Sequence, residues 1–106
     1  MVVIFEIKGN KFMGLNGGPI FKFNEAISFV VDCENQQEID YYWNKLTEGG
    51  QESQCGWLKD KFGVSWQIVP VILGKLINDS VKSGKVMQAL MQMKKLDIAK
   101  LEEAAL

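Results

Sequence analysis

The sequence predicts an α+β fold built on a duplicated β-α-β-β-β module and followed by helices. Three observations predict it. Residues 26–70 run strand, helix, strand, strand. Two hairpins in different parts of the chain turn on a glycine and leave with a large aromatic three residues on and a candidate pocket residue at the fourth. Lys11-Phe12-Met13-Gly14 stands to Gly9 as Ser65-Trp66-Gln67-Ile68 stands to Gly63. Beyond Pro70 the apolar residues recur at helical spacing.

Taken in order, residues 2–7, Val-Val-Ile-Phe-Glu-Ile, form a strand ending at Lys8-Gly9-Asn10, and residues 11–16 return as its hairpin partner. Gly17-Gly18-Pro19 breaks the pairing. The glycines at 9, 14, 17 and 18 do not make a phosphate loop, because no Lys-Ser/Thr follows and they open onto Pro19 rather than a helix. No glycine signature for S-adenosylmethionine follows a strand either.

Residues 26–33 form the next strand. Ala26, Ser28, Val30 and Asp32 share one face; Ile27, Phe29, Val31 and Cys33 share the other. Asn35 then caps a helix with Glu38 in capping-box register. Ile39, Tyr42, Trp43 and Leu46 make its buried stripe, and Gly49-Gly50 ends it.

The stretch 55–70 holds two of the three tryptophans and reads as strand, turn, strand. The turn is Asp60-Lys61-Phe62-Gly63, in which Gly63 takes positive φ and the Asp60 carboxylate caps the turn backbone. In the returning strand Ser65, Gln67 and Val69 face one way, and Val64, Trp66 and Ile68 the other. A ligand cup lined by the polar face and an ordinary half-solvated sheet both fit this asymmetry.

After the hairpin a helix starts at Pro70 with Val71, Leu73, Leu76 and Ile77 as its apolar positions. A second helix over 86–93 carries Met87, Leu90 and Met91 as its stripe, with the methionines read as packing residues. A third runs from an Asp97 cap through Ile98 and Leu101.

Composition removes several chemistries. At 106 residues the chain is one domain's worth of core, and its net charge of −1 gives no field for nucleic acid or an anionic membrane. Every basic residue is lysine, so the bidentate fork of arginine is missing. Histidine is absent, which rules out a Ser-His-Asp or Cys-His nucleophile, a histidine base and a His-ligated metal within the chain. Two cysteines, with no signal-peptide pattern and no membrane-length apolar run, predict a cytoplasmic protein.

Leu15-Asn16-Gly17-Gly18-Pro19, residues 24–29, Tyr42-Trp43, residues 55–70 and the tail 91–98 together resemble the PhnB-like proteins, also labelled the demethylubiquinone methyltransferase-like domain. That family sits in the vicinal oxygen chelate superfamily, with the glyoxalase and bleomycin-resistance proteins. The resemblance covers essentially the whole chain. It implies paired β-α-β-β-β modules whose strands curl around a small-molecule cleft. Against that layout the first module here is incomplete, lacking its opening strand, helix and strand. The expected division is a glyoxalase-like unit over 1–70, comprising a partial first module (1–18) and a second module (26–70), with a helical extension over 71–106. The open edge predicts a homodimer.

The resemblance also implies a divalent metal held from four cup-facing strand positions. The positions matched here are Ala26, with no donor atom, Gln67, a neutral amide, and, by the internal repeat, Met13, a soft thioether. The expectation is therefore no metal and no cofactor. The methyltransferase label finds no methyl-donor site in this sequence.

Among the remaining candidates, Cys33 reads as a small buried hydrophobe, and Cys55 as a more accessible thiol with no histidine to ionise it. Asp60 and Glu6 read as turn residues, and Lys94-Lys95 as a solvated face. Trp57 either walls the cleft or packs on a dimer partner. The leading expectation is a small-molecule-binding protein whose cup is lined by Gln67, Ser65, Ser28, Val30, Met13 and Trp57. Two alternatives stand beside it. One is a lyase, isomerase or dioxygenase-type enzyme whose metal site a partner chain completes. The other is a dimerising module without a working pocket. Fold alone does not choose among them.

Overall fold

A computed structural model describes residues 1–7 and 9–106. Lys8, assigned from sequence to the first turn, lies outside them. The chain opens with an antiparallel hairpin, β1 (Val2–Ile7) and β2 (Asn10–Leu15), in which Phe5 faces Phe12 and Ile4 faces Met13. The expected strand over 26–33 is shorter at its start. β3 spans Ser28–Cys33, because Asn24 Oδ1 accepts the Ala26 N–H at 2.8 Å and holds that residue in a turn. Ala26 therefore precedes the strand instead of occupying a cup-facing place on it.

Helix α1 (Gln36–Thr47) follows with the expected cap: Asn35 Oδ1 accepts the Glu38 N–H at 2.9 Å. The Glu38 carboxylate reaches back to the N–H of Glu34, one residue before the cap, also at 2.9 Å. Ile39 and Trp43 are buried, with Tyr42 and Leu46 packed beside them, so the predicted stripe is the packed one. A two-residue strand, β4 (Gln51–Glu52), escaped sequence reading because both its residues are polar. It is tied to α1 by the Trp43 indole N–H, which donates to Glu52 Oε1 at 2.6 Å.

β5 (Trp57–Lys59) and β6 (Ser65–Pro70) complete a four-stranded sheet of order β3-β6-β5-β4, in which β3 and β6 are parallel. One complete β-α-β-β-β unit is thus present, together with one hairpin from the layout of a second. The turn between β5 and β6 is built as the sequence predicts. Asp60 Oδ1 accepts the N–H groups of Phe62 and Val64 at 2.9 and 3.0 Å, and Gly63 sits at φ +88°. Asp60 Oδ2 takes in addition the Trp66 indole N–H at 2.9 Å.

The core has two parts. Cys33, Leu58 and Ile68 meet Ile39 and Trp43 on the helix-facing side of the sheet, with Trp66 packed against them. The second part gathers the C-terminal helices α2 (Ile72–Asn78), α3 (Ser83–Met91) and α4 (Ile98–Ala104). Here Val86, Leu90, Leu96, Leu101 and Ala105 close against Cys55 and Val69. The predicted stripe on α3 needs correction. Leu90 is buried, but its partner is Val86, while Met87 and Met91 are exposed. Val86/Leu90 and Met87/Met91 are both i, i+4 pairs, so periodicity alone gives them equal standing. The Asp97 cap holds, with Oδ1 accepting the Lys100 N–H at 3.1 Å. No helix among the described residues is long and apolar enough to cross a membrane.

Candidate functional site

Which side chains share the face of the sheet opposite α1 follows from the register. Ser28 pairs with Ser65 and Val30 with Gln67, while Trp57 pairs with Gln67 and Lys59 with Ser65. Residues directly paired project to the same side, so Ser28, Val30, Ser65, Gln67, Trp57 and Lys59 share one surface. Five of the six residues read from sequence as a lining therefore lie together. Trp66 and Ile68, their neighbours in the strand, point the other way into the core under α1.

Within this face the chemistry is graded. At its centre Gln67 Nε2 donates to Ser28 Oγ at 2.9 Å, and Val30 beside them is 55% exposed. Towards the end of β6, Val69 is covered by the C-terminal helices. At the other end Ser65 is 2% exposed, and its hydroxyl has no hydrogen-bond partner. Ser65 lines two cavities. One, of about 200 Å³, is bounded by Trp57, Lys59, Gln51, Ser53 and Glu25. The other, of about 460 Å³, is bounded by Phe23, Ile27, Phe29 and Val64, with Lys22 and Asn24 also in its lining. Glu25 reaches over the smaller cavity to the Lys59 ammonium, whose hydrogen bond and charge hold the Glu25 carboxyl below its usual pKa.

Met13 stands apart from the other five. It lies on β2, in the other sheet, 66% exposed and beside Ile4. Of the six residues only Ser65 and Trp57 line these cavities; Ser28, Val30 and Gln67 lie on the open face beside them, and Met13 on the hairpin. The hairpin meets the module through aromatics on its other face. Phe12 stacks with Phe5 at 5.5 Å and reaches Phe29 at 5.8 Å, and Phe29 in turn reaches Trp66 at 5.3 Å. The two aromatics of the sequence repeat, Phe12 and Trp66, thus flank the same phenyl ring. Sequence reading missed Glu25 and Lys59. Lys59 was visible in alternation with Trp57, whereas Glu25 reaches it from a loop that carries no period.

The donor set does not suit a hard cation. Gln67 spends an amide N–H on Ser28, Ala26 has no donor atom and is off the strand, and no group of three His, Cys, Asp or Glu lies together among the described residues. The buried thiol of Cys33 is no better as a nucleophile. Burial, reinforced by the charges of Glu38 and Asp32, pushes its pKa up to about 11.

The family model described as 3-demethylubiquinone-9 3-methyltransferase matches residues 1–69. The chain belongs to this family, the PhnB-like proteins. Among solved structures, the PhnB protein of Bacillus cereus is 32% identical with a TM-score of 0.61, over 67% of this chain and 64% of that one. Protein PA1353 of Pseudomonas aeruginosa, 19% identical with a TM-score of 0.54 over 66% of this chain and 62% of that one, shares the fold. This PhnB-like chain thus spans less than two thirds of either structure. No curated protein matches it. The fold is that of the glyoxalase/bleomycin-resistance proteins, and the C-terminal helices lie beyond the matched residues.

Proposed function

We propose that this PhnB-like chain binds a modest, partly apolar small molecule on the sheet face opposite α1, without a metal of its own. The observation that supports this most is the centre of that face. There an amide–hydroxyl pair, Gln67 and Ser28, sits beside the exposed Val30, with a tryptophan alongside. Such orienting polar groups beside apolar side chains, on an open face that borders the cavities at Ser65 and Trp57, are elements that small-molecule sites use. The methyl transfer in the family's description is not adopted, since the strand-to-helix turns at Glu34-Asn35 and at Val71 carry no glycine to admit a nucleotide-like methyl donor. The reading divides the chain into a binding unit over 1–70 and a helical support over 71–106. It places the protein in a reducing compartment, the cytoplasm, on its two free thiols.

The proposal includes a homodimer. Val2, Ile4, Met13 and Leu15 share one face of the hairpin and are each 50–72% exposed, and Phe5 on its other face is 46% exposed. A two-stranded hairpin this apolar needs a covering surface. A second copy would supply one and bring Met13 toward a shared cup. Light scattering after size exclusion at micromolar concentration is expected to give twice the 12.0 kDa chain mass; a stable monomer removes the dimer. For the site, titration with a fragment library followed by NMR is expected to move the Gln67 side-chain amide. Gln67→Leu is expected to weaken the hits about tenfold, the loss of one or two hydrogen bonds. Hits that leave the amide unmoved, or that bind the variant equally, defeat the reading.

A further inference from the structure

The Ser65 hydroxyl is the one buried side-chain oxygen or nitrogen without a hydrogen-bond partner among the described residues. A native structure rarely leaves such a group unpaired, and the deficit points to a partner that arrives from outside the chain. Its position says where that partner comes from. Ser65 belongs to the lining of two cavities at the start of β3 and β6. One has polar walls on the Ser65 face of the sheet. The other is walled mainly by Phe23, Ile27, Phe29 and Val64, of which Phe29 and Val64 belong to the opposite face, so that the two are neighbours around the end of the sheet. At the polar cavity the loop residue Glu25 is ion-paired with Lys59. Both side chains are partly exposed, so the pair leaves hydrogen-bonding sites free for a third group beside it.

The charge of the occupant follows from the same pair. A carboxylate entering beside Lys59 would also meet the like charge of Glu25, and an ammonium entering beside Glu25 would meet that of Lys59. A neutral group with both an acceptor and a donor satisfies the two without separating their charges. We propose that Ser65 anchors a neutral carboxamide head. Its carbonyl accepts from the Ser65 hydroxyl and the Lys59 ammonium, and its NH₂ donates to Glu25 while the aromatic or branched body enters the apolar cavity. This rests on the small-molecule reading above and deepens it, naming the class of ligand and the end of the face that holds its head. Trp57 also lines the polar cavity.

The probe is benzamide, with benzoate and benzylamine as charged isosteres, titrated into the full chain and followed by NMR. Benzamide is expected to shift the resonances of Ser65, Lys59 and Phe29, with each isostere at least tenfold weaker. Ser65→Ala is expected to weaken benzamide about tenfold while leaving the unliganded protein at least as stable, because it removes a hydroxyl that has no partner. That combination separates an anchoring role from a structural one. Benzoate or benzylamine binding as well as benzamide overturns the proposal, as does a Ser65→Ala protein that is destabilised yet binds normally. Shifts confined to Ser28, Val30 and Gln67 overturn it while leaving the wider small-molecule reading in place. No shifts at millimolar benzamide overturn it as well, and the fragment titration then decides the wider reading on its own.

Discussion

The two hairpins of this PhnB-like chain share a design and differ in fate. Both turn on a glycine in the left-handed region, Gly9 at φ +82° and Gly63 at φ +88°, and both send an aromatic to the same side, against Phe29. Yet β6 buries Ser65, Ile68 and Pro70, whereas every residue of β1 is exposed. The strands of the module are flanked by neighbours on both edges or covered by α1 and the C-terminal helices; β1 and β2 pair only with each other. Local sequence makes a hairpin, and only a second surface makes it part of a core.

The largest effect that tests this contrast is truncation of equivalent aliphatic side chains. Ile68→Ala removes a side chain with no exposure from under α1 and is expected to cost about 2–5 kcal/mol in urea denaturation. Ile4→Ala, at a site 59% exposed, is expected to cost less than about 0.5 kcal/mol in dilute monomer. A large cost for Ile4→Ala that grows with protein concentration would show the hairpin buried in an assembly.

Next in size is a pH effect confined to the module. The Cys33 thiol keeps its proton in the folded chain up to about pH 11, against 9.0 for an ordinary thiol. Its contribution is complete below pH 9. Above that the unfolded chain ionises while the folded one does not, so stability falls by roughly 1.4 kcal/mol per pH unit until about pH 11. Subtracting the profile of Cys33→Val isolates this slope from the other groups that titrate there. Identical profiles for the two proteins would mean that the thiol is not sealed under α1.

A glycine pair comes third. Gly63→Ala and Gly9→Ala impose the same left-handed strain, about 1–2 kcal/mol each. In the module that loss is expected to appear in global unfolding, because the Asp60 turn it distorts also fixes Trp66. In the N-terminal hairpin it is expected to accelerate hydrogen exchange of β1 and β2 alone. Equal global losses would make the hairpin part of the cooperative unit.

The same contrast governs what could be read from the sequence. Elements fixed by a local rule were legible: the Asn35 cap, the Asp60 turn, and the alternation that sets Gln67 opposite Trp66. Five of the six residues read from sequence as a lining lie on one face because alternation and register are local properties of paired strands. What failed needed a non-local partner. Val86 and Met87 head equally periodic stripes on α3, and only the arrival of Leu96, Leu101 and Val69 decides which is buried. Glu25 reaches Lys59 from an irregular loop, and β4 is two polar residues that become a strand only by pairing with β5. The start of β3 moved because the Asn24 side chain captured a backbone N–H that a strand would have used.

The smallest expected effect is the one that joins the two regions. Phe12 meets Phe29 edge-on at 5.8 Å, and Phe29 passes the contact to Trp66 at 5.3 Å, so this row of rings connects the hairpin to the module core. Aromatic pairs of this geometry contribute about 0.5–1.5 kcal/mol beyond the area they bury, and the partial exposure of Phe29 favours the lower half of that range. A double-mutant cycle of Phe12→Leu and Phe29→Leu keeps most of the apolar volume while removing the ring–ring term, so the coupling is expected near 0.5 kcal/mol. Trp66 fluorescence reports the module side of the cycle, and hydrogen exchange of β2 reports the hairpin side. Coupling seen by both probes makes the hairpin a docked extension of the sheet, whose Met13 face is held at a fixed angle to Gln67. A coupling of zero leaves the hairpin tethered only through residues 16–27, and Met13 then has no defined place in a site formed by a single chain.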